Sequence, residues 1–371
     1  MRVKWEVNLG AVIVAAPVVA PDGTLCVIAG NHLRAVGPDG ALLWSLDLAE
    51  RGHARRPGLS SEGFTPQSAV LAPDGTLYQT LGGFLACVLA VDTSPQAAER
   101  LKWVSKGTET RSSPLFVEGT LFTGVREGVR AFDTGSEGKA TWRQAGPYYT
   151  SSSLARSPDG ATLYVGGSDG NLHALDSATG QRKWSAGRSE RAGVRLAEKD
   201  ARGKTMRHFT TAGHIPEAPA VGPDGTIYFG SWDGYLRAAS PDGRIRWSID
   251  LKDRLTSAPA LGADGRILIS TFEGTLYAVR VVDGRPVVDW QAEANSRYSS
   301  PLISSDGKAY VGTMDGRLRA YALADGGKAG DLAPGSSDPS VLPGWITASP
   351  VPGGDGVLYI GGSDGFLRAV E

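Results

Sequence analysis

Arginine, histidine and aromatic residues recur in the segments that join one strand-rich unit of this sequence to the next. The candidate binding residues of this kind are Arg111, His214, Arg254, Arg297, Tyr298 and Trp345, together with Phe64, Tyr148 and Tyr149. Arginine and large aromatic side chains dominate the energetics of binding surfaces, and the guanidinium group pairs well with carboxylates and phosphates. If these segments meet, they predict a site for an anionic group or an acidic peptide. The alternative interpretation is that the same side chains only fill and hydrate a central channel.

A second concentration of charge lies in the segment 185–217, which has seven basic residues against four acidic ones. The basic residues are Arg188, Arg191, Arg195, Lys199, Arg202, Lys204 and Arg207. The whole chain has a formal net charge of −1, so attraction to nucleic acid would have to come from a local patch such as this. We treat Arg191, Arg195, Arg202 and Arg207 as candidate partner-binding residues, and a solvated loop is the alternative.

Sequence motifs of familiar catalytic and metal sites are absent. The chain contains no GxxxxGK[ST], HExxH, CxxC or GxSxG segment, and its five histidines are scattered. The cysteines, Cys26 and Cys87, both fall in apolar strand-like runs, which favours buried free thiols over a disulfide or a metal site. We therefore expect no catalytic residue, no metal and no cofactor.

A repeat decides which elements position the candidate residues. One phrase recurs six times: Asp-Gly, an apolar run, then Asp/Glu-Gly and an alanine four residues on, as in PDGTIYFGSWDGYLRA (223–238) and ADGRILISTFEGTLYA (263–278). Asp-Gly between β-rich runs is a strong hairpin signal. A period of about 40–50 residues with this turn chemistry is typical of a propeller built from four-stranded blades.

The number of first-turn glycines predicts eight blades. These glycines are Gly23, Gly75, Gly119, Gly160, Gly225, Gly265, Gly307 and Gly356. The last strand of most blades carries a tryptophan, which we expect to be a wedge between neighbouring sheets: Trp44, Trp103, Trp142, Trp184, Trp247 and Trp290. We therefore predict an all-β, eight-bladed propeller that forms a single domain over 1–371.

The two ends of the chain are expected to close the ring. The last blade ends at Glu371 without a tryptophan strand, whereas the chain begins with VKWEV, so the N-terminal strand should complete that blade. The apolar run 10–20 resembles a short secretion signal, but Trp5 and Ala16-Pro17 match the repeat, and no lipid-attachment cysteine follows. We expect folded repeat here and a cytoplasmic location, with a periplasmic or outer-membrane-associated location as the alternative.

Three segments between blades are longer than the repeat requires: 45–65, 185–217 and 324–345. Insertions in repeat proteins fall on one face, which is often the binding face. The third segment replaces the tryptophan strand of blade 7, and its Gly, Ser and Pro content predicts an irregular crossing.

The segment LYVGGSDGNLHALDSATGQRKW (163–184) resembles the repeat of the pyrroloquinoline-quinone (PQQ) type, and the resemblance covers essentially the whole chain. That superfamily includes quinoprotein alcohol dehydrogenases and the propeller lipoprotein of the bacterial β-barrel assembly machinery. The resemblance implies that a dehydrogenase would be longer and would carry an adjacent cysteine pair beside its cofactor, which the separated Cys26 and Cys87 do not provide. By length, this chain resembles the non-catalytic members.

The first functional hypothesis is therefore a bacterial, non-catalytic scaffold that acts as a monomer and binds a protein partner through its loop-bearing face; the arginines favour an acidic partner. The alternatives are nucleic-acid binding through 185–210 and the funnel arginines, and a PQQ-dependent dehydrogenase. The sequence names neither the partner nor a small ligand of the central funnel.

Overall fold

The computed structural model describes residues 1–48, 67–82, 86–106, 108, 110, 112–125, 128–146, 152–187, 213–333, 344–354 and 356–371, and the backbone of two short strands within 197–207. These residues form eight four-stranded antiparallel sheets, each a meander whose strands pair with their neighbours in the chain. The sheets are arranged as the eight blades of a propeller, which confirms the predicted fold. Among the described residues there is no helix long and apolar enough to cross a membrane.

The strands of blades 1 to 4 follow in chain order. They are β2 (Val18–Val19), β3 (Leu25–Ala29), β4 (His32–Val36) and β5 (Leu42–Asp47); β6 (Val70–Leu71), β7 (Thr76–Leu81), β8 (Cys87–Asp92) and β9 (Leu101–Lys106); β10 (Leu115–Val117), β11 (Thr120–Val125), β12 (Gly128–Asp133) and β13 (Lys139–Ala145); and β14 (Ala155–Arg156), β15 (Thr162–Gly166), β16 (Leu172–Asp176) and β17 (Arg182–Ala186). A 3₁₀ turn, Thr134–Ser136, joins β12 to β13.

A two-stranded hairpin, β18 (Ala197–Lys199) with β19 (Thr205–Arg207), precedes blade 5. Blades 5 to 8 are β20 (Ala220–Val221), β21 (Ile227–Gly230), β22 (Tyr235–Ala239) and β23 (Ile245–Asp250); β24 (Ala260–Leu261), β25 (Ile267–Ser270), β26 (Thr275–Val282) and β27 (Arg285–Glu293); β28 (Leu302–Ile303), β29 (Lys308–Gly312), β30 (Leu318–Ala322) and β31 (Lys328–Leu332); and β32 (Val351–Pro352), β33 (Leu358–Gly361), β34 (Phe366–Val370) and β1 (Val3–Asn8).

The tryptophan of one blade packs on a turn glycine of the next. A Cβ added to Gly180, whose φ is +72°, would come within 2.4 Å of the Trp142 ring, and the Trp142 indole N–H donates to the carbonyl oxygen of Ser177 at 3.2 Å. The same ring-on-glycine contact joins Trp5 to Gly40, Trp103 to Gly138, Trp184 to Gly243, and Trp290 to Gly326. These contacts confirm the predicted role of the ring as a wedge. Trp44 and Trp247 make no such glycine contact among the described residues and pack instead against the apolar cores between blades 1 and 2 and between blades 5 and 6.

The ring is closed by the pairing of β1 with β34, as predicted. The register places Trp5 opposite Ala369, the same pairing that Trp142 makes with Ala131 inside blade 3. The Arg368 side chain is only 1% exposed and binds the Glu6 carboxylate at 3.0 Å and the Asp364 carboxylate at 2.6 Å. The two termini are thus held together by backbone pairing and by a buried cation.

Blade 7 differs from the prediction. The segment 324–345 was expected to be an irregular crossing, but it contains the regular fourth strand β31. A strand needs backbone partners and no particular side chain, so the loss of tryptophan did not prevent pairing. Gly330 takes the tryptophan position opposite Ala320, and the Met1 side chain occupies the space beside it.

Candidate binding face

The connections between blades meet the turns between second and third strands at one end of the propeller. The N–H of Trp232 donates to the carbonyl of His214 at 2.9 Å, and the N–H of Phe272 donates to the carbonyl of Arg254 at 2.8 Å. In blade 8 the N–H of Ser363 donates to the carbonyl of Trp345 at 3.0 Å. We call this end of the molecule the loop-bearing face. The equivalent bond is also present in blades 1 and 7, from Gly30 to Val12 and from Met314 to Asn295, so one repeated backbone bond positions the connections of this face.

Two arginines from different connections converge on one aromatic ring. The guanidinium carbon of Arg254 lies 4.2 Å from the centroid of the Phe272 ring, and that of Arg297 lies 5.0 Å from it. Tyr298 packs edge-on against the same ring, with centroids 6.4 Å apart. We call these four residues the arginine–phenylalanine cluster. Cation–π contacts orient the guanidinium groups without using their N–H donors.

Within the part of the chain that the structure describes, neither guanidinium of the cluster forms an ion pair, and the Nε of Arg297 is buried without a hydrogen-bond acceptor. The acidic neighbours are engaged elsewhere or exposed. The Asp253 carboxylate accepts the backbone N–H groups of Arg254 and Glu273, each at 2.7 Å, and Glu273 itself is exposed on its turn. The cluster therefore retains donors for an external acceptor.

Two exposed aromatic side chains lie on the loop-bearing face. Tyr298 is 48% exposed and Trp345, on the following connection, is 49% exposed. A large ring left half in water is a common anchor of a protein–protein contact. Cations and anchors of the types predicted from the sequence are thus on the same face.

His214 does not add charge to this face. Burial lowers the pKa of its imidazole from the usual 6.5 to about 4, so the ring is neutral at physiological pH. It contacts Trp232 edge-on, with centroids 4.7 Å apart. On the loop-bearing face His214 is a neutral, half-buried ring.

Serine hydroxyls join successive blades around the axis. The backbone N–H before the first strand of one blade donates to a serine Oγ of the next: Ala16 to Ser68, Ser113 to Ser153, Ala258 to Ser300, and Ser300 to Ser349, at 2.9–3.2 Å. The residue just before the N–H donor is serine in blades 3, 4, 6 and 7. In blade 5 the same position holds Glu217. Burial raises the pKa of the Glu217 carboxyl from 4.5 to about 7.

Several predicted binding residues lie outside the described residues, so their placement stays a prediction. They are Phe64, Arg111, Tyr148, Tyr149, Arg188, Arg191, Arg195, Lys199, Arg202, Lys204 and Arg207, of which Arg207 and Lys199 are described only as backbone of the β18–β19 hairpin.

Sequence reasoning missed Phe272, Trp232 and Glu217. The signal was present, because blades 5 to 7 carry Trp232, Phe272 and Met314 immediately before the second-turn acid where blades 4 and 8 carry serine. That substitution marks three consecutive blades as different from the rest of the ring.

The cysteines do not form the adjacent pair that the PQQ resemblance associates with the cofactor. Cys26 and Cys87 are buried in the apolar core between blades 1 and 2, and neither forms a disulfide. Burial raises the pKa of Cys26 to about 12 and that of Cys87 to about 11. These thiols therefore do not fit the quinone. Among the described side chains no group of three His, Cys, Asp or Glu residues could hold a metal ion.

Solved structures of low sequence identity share the fold. A BamB from Moraxella catarrhalis superimposes with a TM-score of 0.70 at 16% identity, covering 99% of this chain and 98% of that one. The quinohemoprotein alcohol dehydrogenase from Comamonas testosteroni gives 0.70 at 16% identity, covering 99% of this chain and 76% of that one. The computationally designed Ika8 protein gives 0.70 at 14% identity, covering 98% of both chains. No curated protein matches the sequence.

The family comparison is more specific than the fold comparison. A model described as strictosidine synthase-like, N-terminal, matches only residues 206–237, less than one blade. The model described as outer membrane protein assembly factor BamB matches residues 29–208 and 232–371. Because that match covers most of the repeat array, the chain belongs to this family of PQQ-like repeat propellers.

Proposed function

We propose that this protein is a non-catalytic scaffold that binds a protein partner through its loop-bearing face. The observation that carries the proposal is the arginine–phenylalanine cluster, which includes the exposed Tyr298, on the same face as the exposed Trp345. Arginine and aromatic residues that remain accessible on one face are the usual composition of a hot spot in a protein interface. Membership of a family described by an assembly factor supports the same function.

The remaining hypotheses have less support. The buried thiols argue against the quinone-dependent reaction. Binding of nucleic acid was predicted mainly from the basic residues of 185–210, and most of these lie outside the described residues. We therefore keep nucleic acid as an outcome of the experiments below and do not propose it.

Site-specific photo-crosslinking in the producing cell tests the proposal. A photoreactive phenylalanine analogue replaces Tyr298 in one variant and Trp345 in a second. Val287, which is 37% exposed on the outer strand of blade 6, is the matched control for an exposed apolar residue. We expect a protein adduct of defined mass from both positions on the loop-bearing face and none from the control. Adducts of the same masses from Val287, or no adduct from either test position, would refute the proposal.

A further inference from the structure

The arginine–phenylalanine cluster has features that restrict what its partner can be. The two guanidinium groups come from separate connections, one before blade 6 and one before blade 7, and meet over a residue of the blade-6 turn. Both connections are fixed by the backbone, because Phe272 donates its N–H to the Arg254 carbonyl and the Arg297 carbonyl accepts the Thr256 hydroxyl. Preorganised cations of this kind lose little conformational entropy on binding.

The missing acceptor is the second restriction. A buried N–H without an acceptor destabilises the protein, and hydrogen bonds between an ionised donor and a carboxylate are stronger than neutral ones. Neither Asp253 nor Glu273 forms an ion pair with the cluster, so the described residues leave the Arg297 Nε unsatisfied. A carboxylate of a partner can accept from the terminal nitrogens of Arg254 and Arg297, which form no ion pair among the described residues.

The exposed aromatic side chains on the same face also restrict the chemistry of the partner. Tyr298 and Trp345 are each about half exposed, and a partner that brought only charge would leave both rings in water. Apolar side chains next to the acid would bury them and exclude solvent from the ion pair, which strengthens it. The bases of a single-stranded nucleic acid also stack on such rings, so a single-stranded oligonucleotide is the comparison probe that separates the two classes of partner.

We propose that the arginine–phenylalanine cluster binds an acidic peptide segment in which a carboxylate is flanked by aromatic or aliphatic side chains. This inference rests on the proposed scaffold function and specifies the chemistry of the partner. The carboxylate pairs with Arg297 and Arg254, and the flanking side chain packs on Tyr298 and Trp345.

Fluorescence anisotropy with defined probes tests the inference. The probe is a fluorescein-labelled hexapeptide in which Asp and Phe alternate; the comparison probes are the Asn/Phe and Lys/Phe hexapeptides and a labelled single-stranded oligonucleotide. We expect saturable binding of the Asp/Phe peptide only. Arg254→Gln and Arg297→Gln should each weaken it at least about tenfold, since each removes a charged hydrogen-bonding partner. Arg297→Lys, which keeps the charge but loses the fork, should give an intermediate loss.

The matched control is Arg280→Gln, which removes one positive charge from blade 6 at the outer hairpin, where Arg280 pairs with Asp289 at 2.8 Å. It should change the affinity less than about twofold, because the charge is distant and screened. Unchanged affinity in Arg297→Gln, an equal loss in Arg280→Gln, or binding of the oligonucleotide in preference to the Asp/Phe peptide would overturn the inference. If crosslinking from Tyr298 still succeeds in that case, the scaffold function stands and only the acidic chemistry of the partner is wrong.

Discussion

Replacing Glu217 should change the pH dependence of stability strongly. It stands before β20 at the position where other blades have serines such as Ser257 and Ser299, whose hydroxyls accept a backbone N–H of their own second strand. Glu217 instead places a carboxyl group at this position, and burial raises the pKa of that group from 4.5 to about 7. The folded protein therefore holds a proton that the unfolded chain releases between these two pH values.

The sign of the effect follows from this difference. At pH 4 the carboxyl is protonated in both states and contributes nothing. As pH rises from 4.5 to 7 the unfolded state is favoured, because only the folded state must keep the proton. Each pH unit costs about 1.4 kcal/mol, so the loss reaches up to about 3 kcal/mol and stays constant above pH 7. A neutral amide of the same shape carries no such penalty.

We therefore expect Glu217→Gln to be about as stable as the parent at pH 4.5 and up to about 3 kcal/mol more stable at pH 8. Urea unfolding followed by tryptophan fluorescence at pH 4.5, 6, 7 and 8 measures the difference. Taking the difference removes the opposite contribution of aspartates whose pKa is lowered, such as Asp233. Glu273→Gln, at an exposed glutamate, is the control. A stability difference that does not change with pH would refute the reasoning.

Three further predictions concern the ring itself. Gly180→Ala should destabilise the protein by about 3 kcal/mol, because the new Cβ displaces the Trp142 ring. The control Gly284→Ala, at a similar φ of +74° but in open space, should cost only about 1 kcal/mol. Urea unfolding measures both variants, and equal losses would mean that the contact between tryptophan and glycine contributes little. Deleting residues 1–8 removes β1, Trp5 and the Glu6 partner of Arg368. The deletion should lower the free energy of unfolding by at least about 4 kcal/mol and lower the melting temperature strongly. A melting temperature within a few degrees of the parent would show that the propeller closes without β1. Cys26 and Cys87 should resist a thiol reagent at pH 8 in the native protein and react in denaturant, because burial raises the pKa of both thiols; rapid labelling of either in the native state would contradict their burial.

The fold was predictable because its signals are local and repeated. A turn such as that at Gly225, with φ at +78°, needs glycine, and the Asp224 carboxylate caps the Thr226 N–H next to it. An acidic residue followed by glycine recurs at the first turn of every blade, so the number of blades follows from counting these pairs. The tryptophan wedge was predictable because tryptophan recurs at a fixed place in the repeat. The closure by β1 was predictable because Trp5 stands at the start of the chain, away from that place.

The candidate site was only partly predictable. The repeat assigns Arg254 and Arg297 to connections at one end of the propeller, but it does not say that both reach Phe272. That convergence depends on the path of connections that vary between blades. The neutral state of His214 depends on burial in three dimensions, which no periodicity reports. Similarly, β31 forms although its tryptophan position holds Gly330, because strand pairing depends on the backbone.

The pairing of β1 with β34 has a consequence for biosynthesis. β1 is made before the first blade, yet its partner strand is the last of the ring to be translated. At about 5–20 residues per second, roughly 20–70 s separate the two strands on a ribosome. During that time the nascent chain presents an unpaired, partly apolar strand at one end and a growing stack of blades with an open edge at the other. We expect the nascent chain to need a chaperone in this interval. Faster translation, or a circular permutation that moves the chain ends to another turn, should reduce that need.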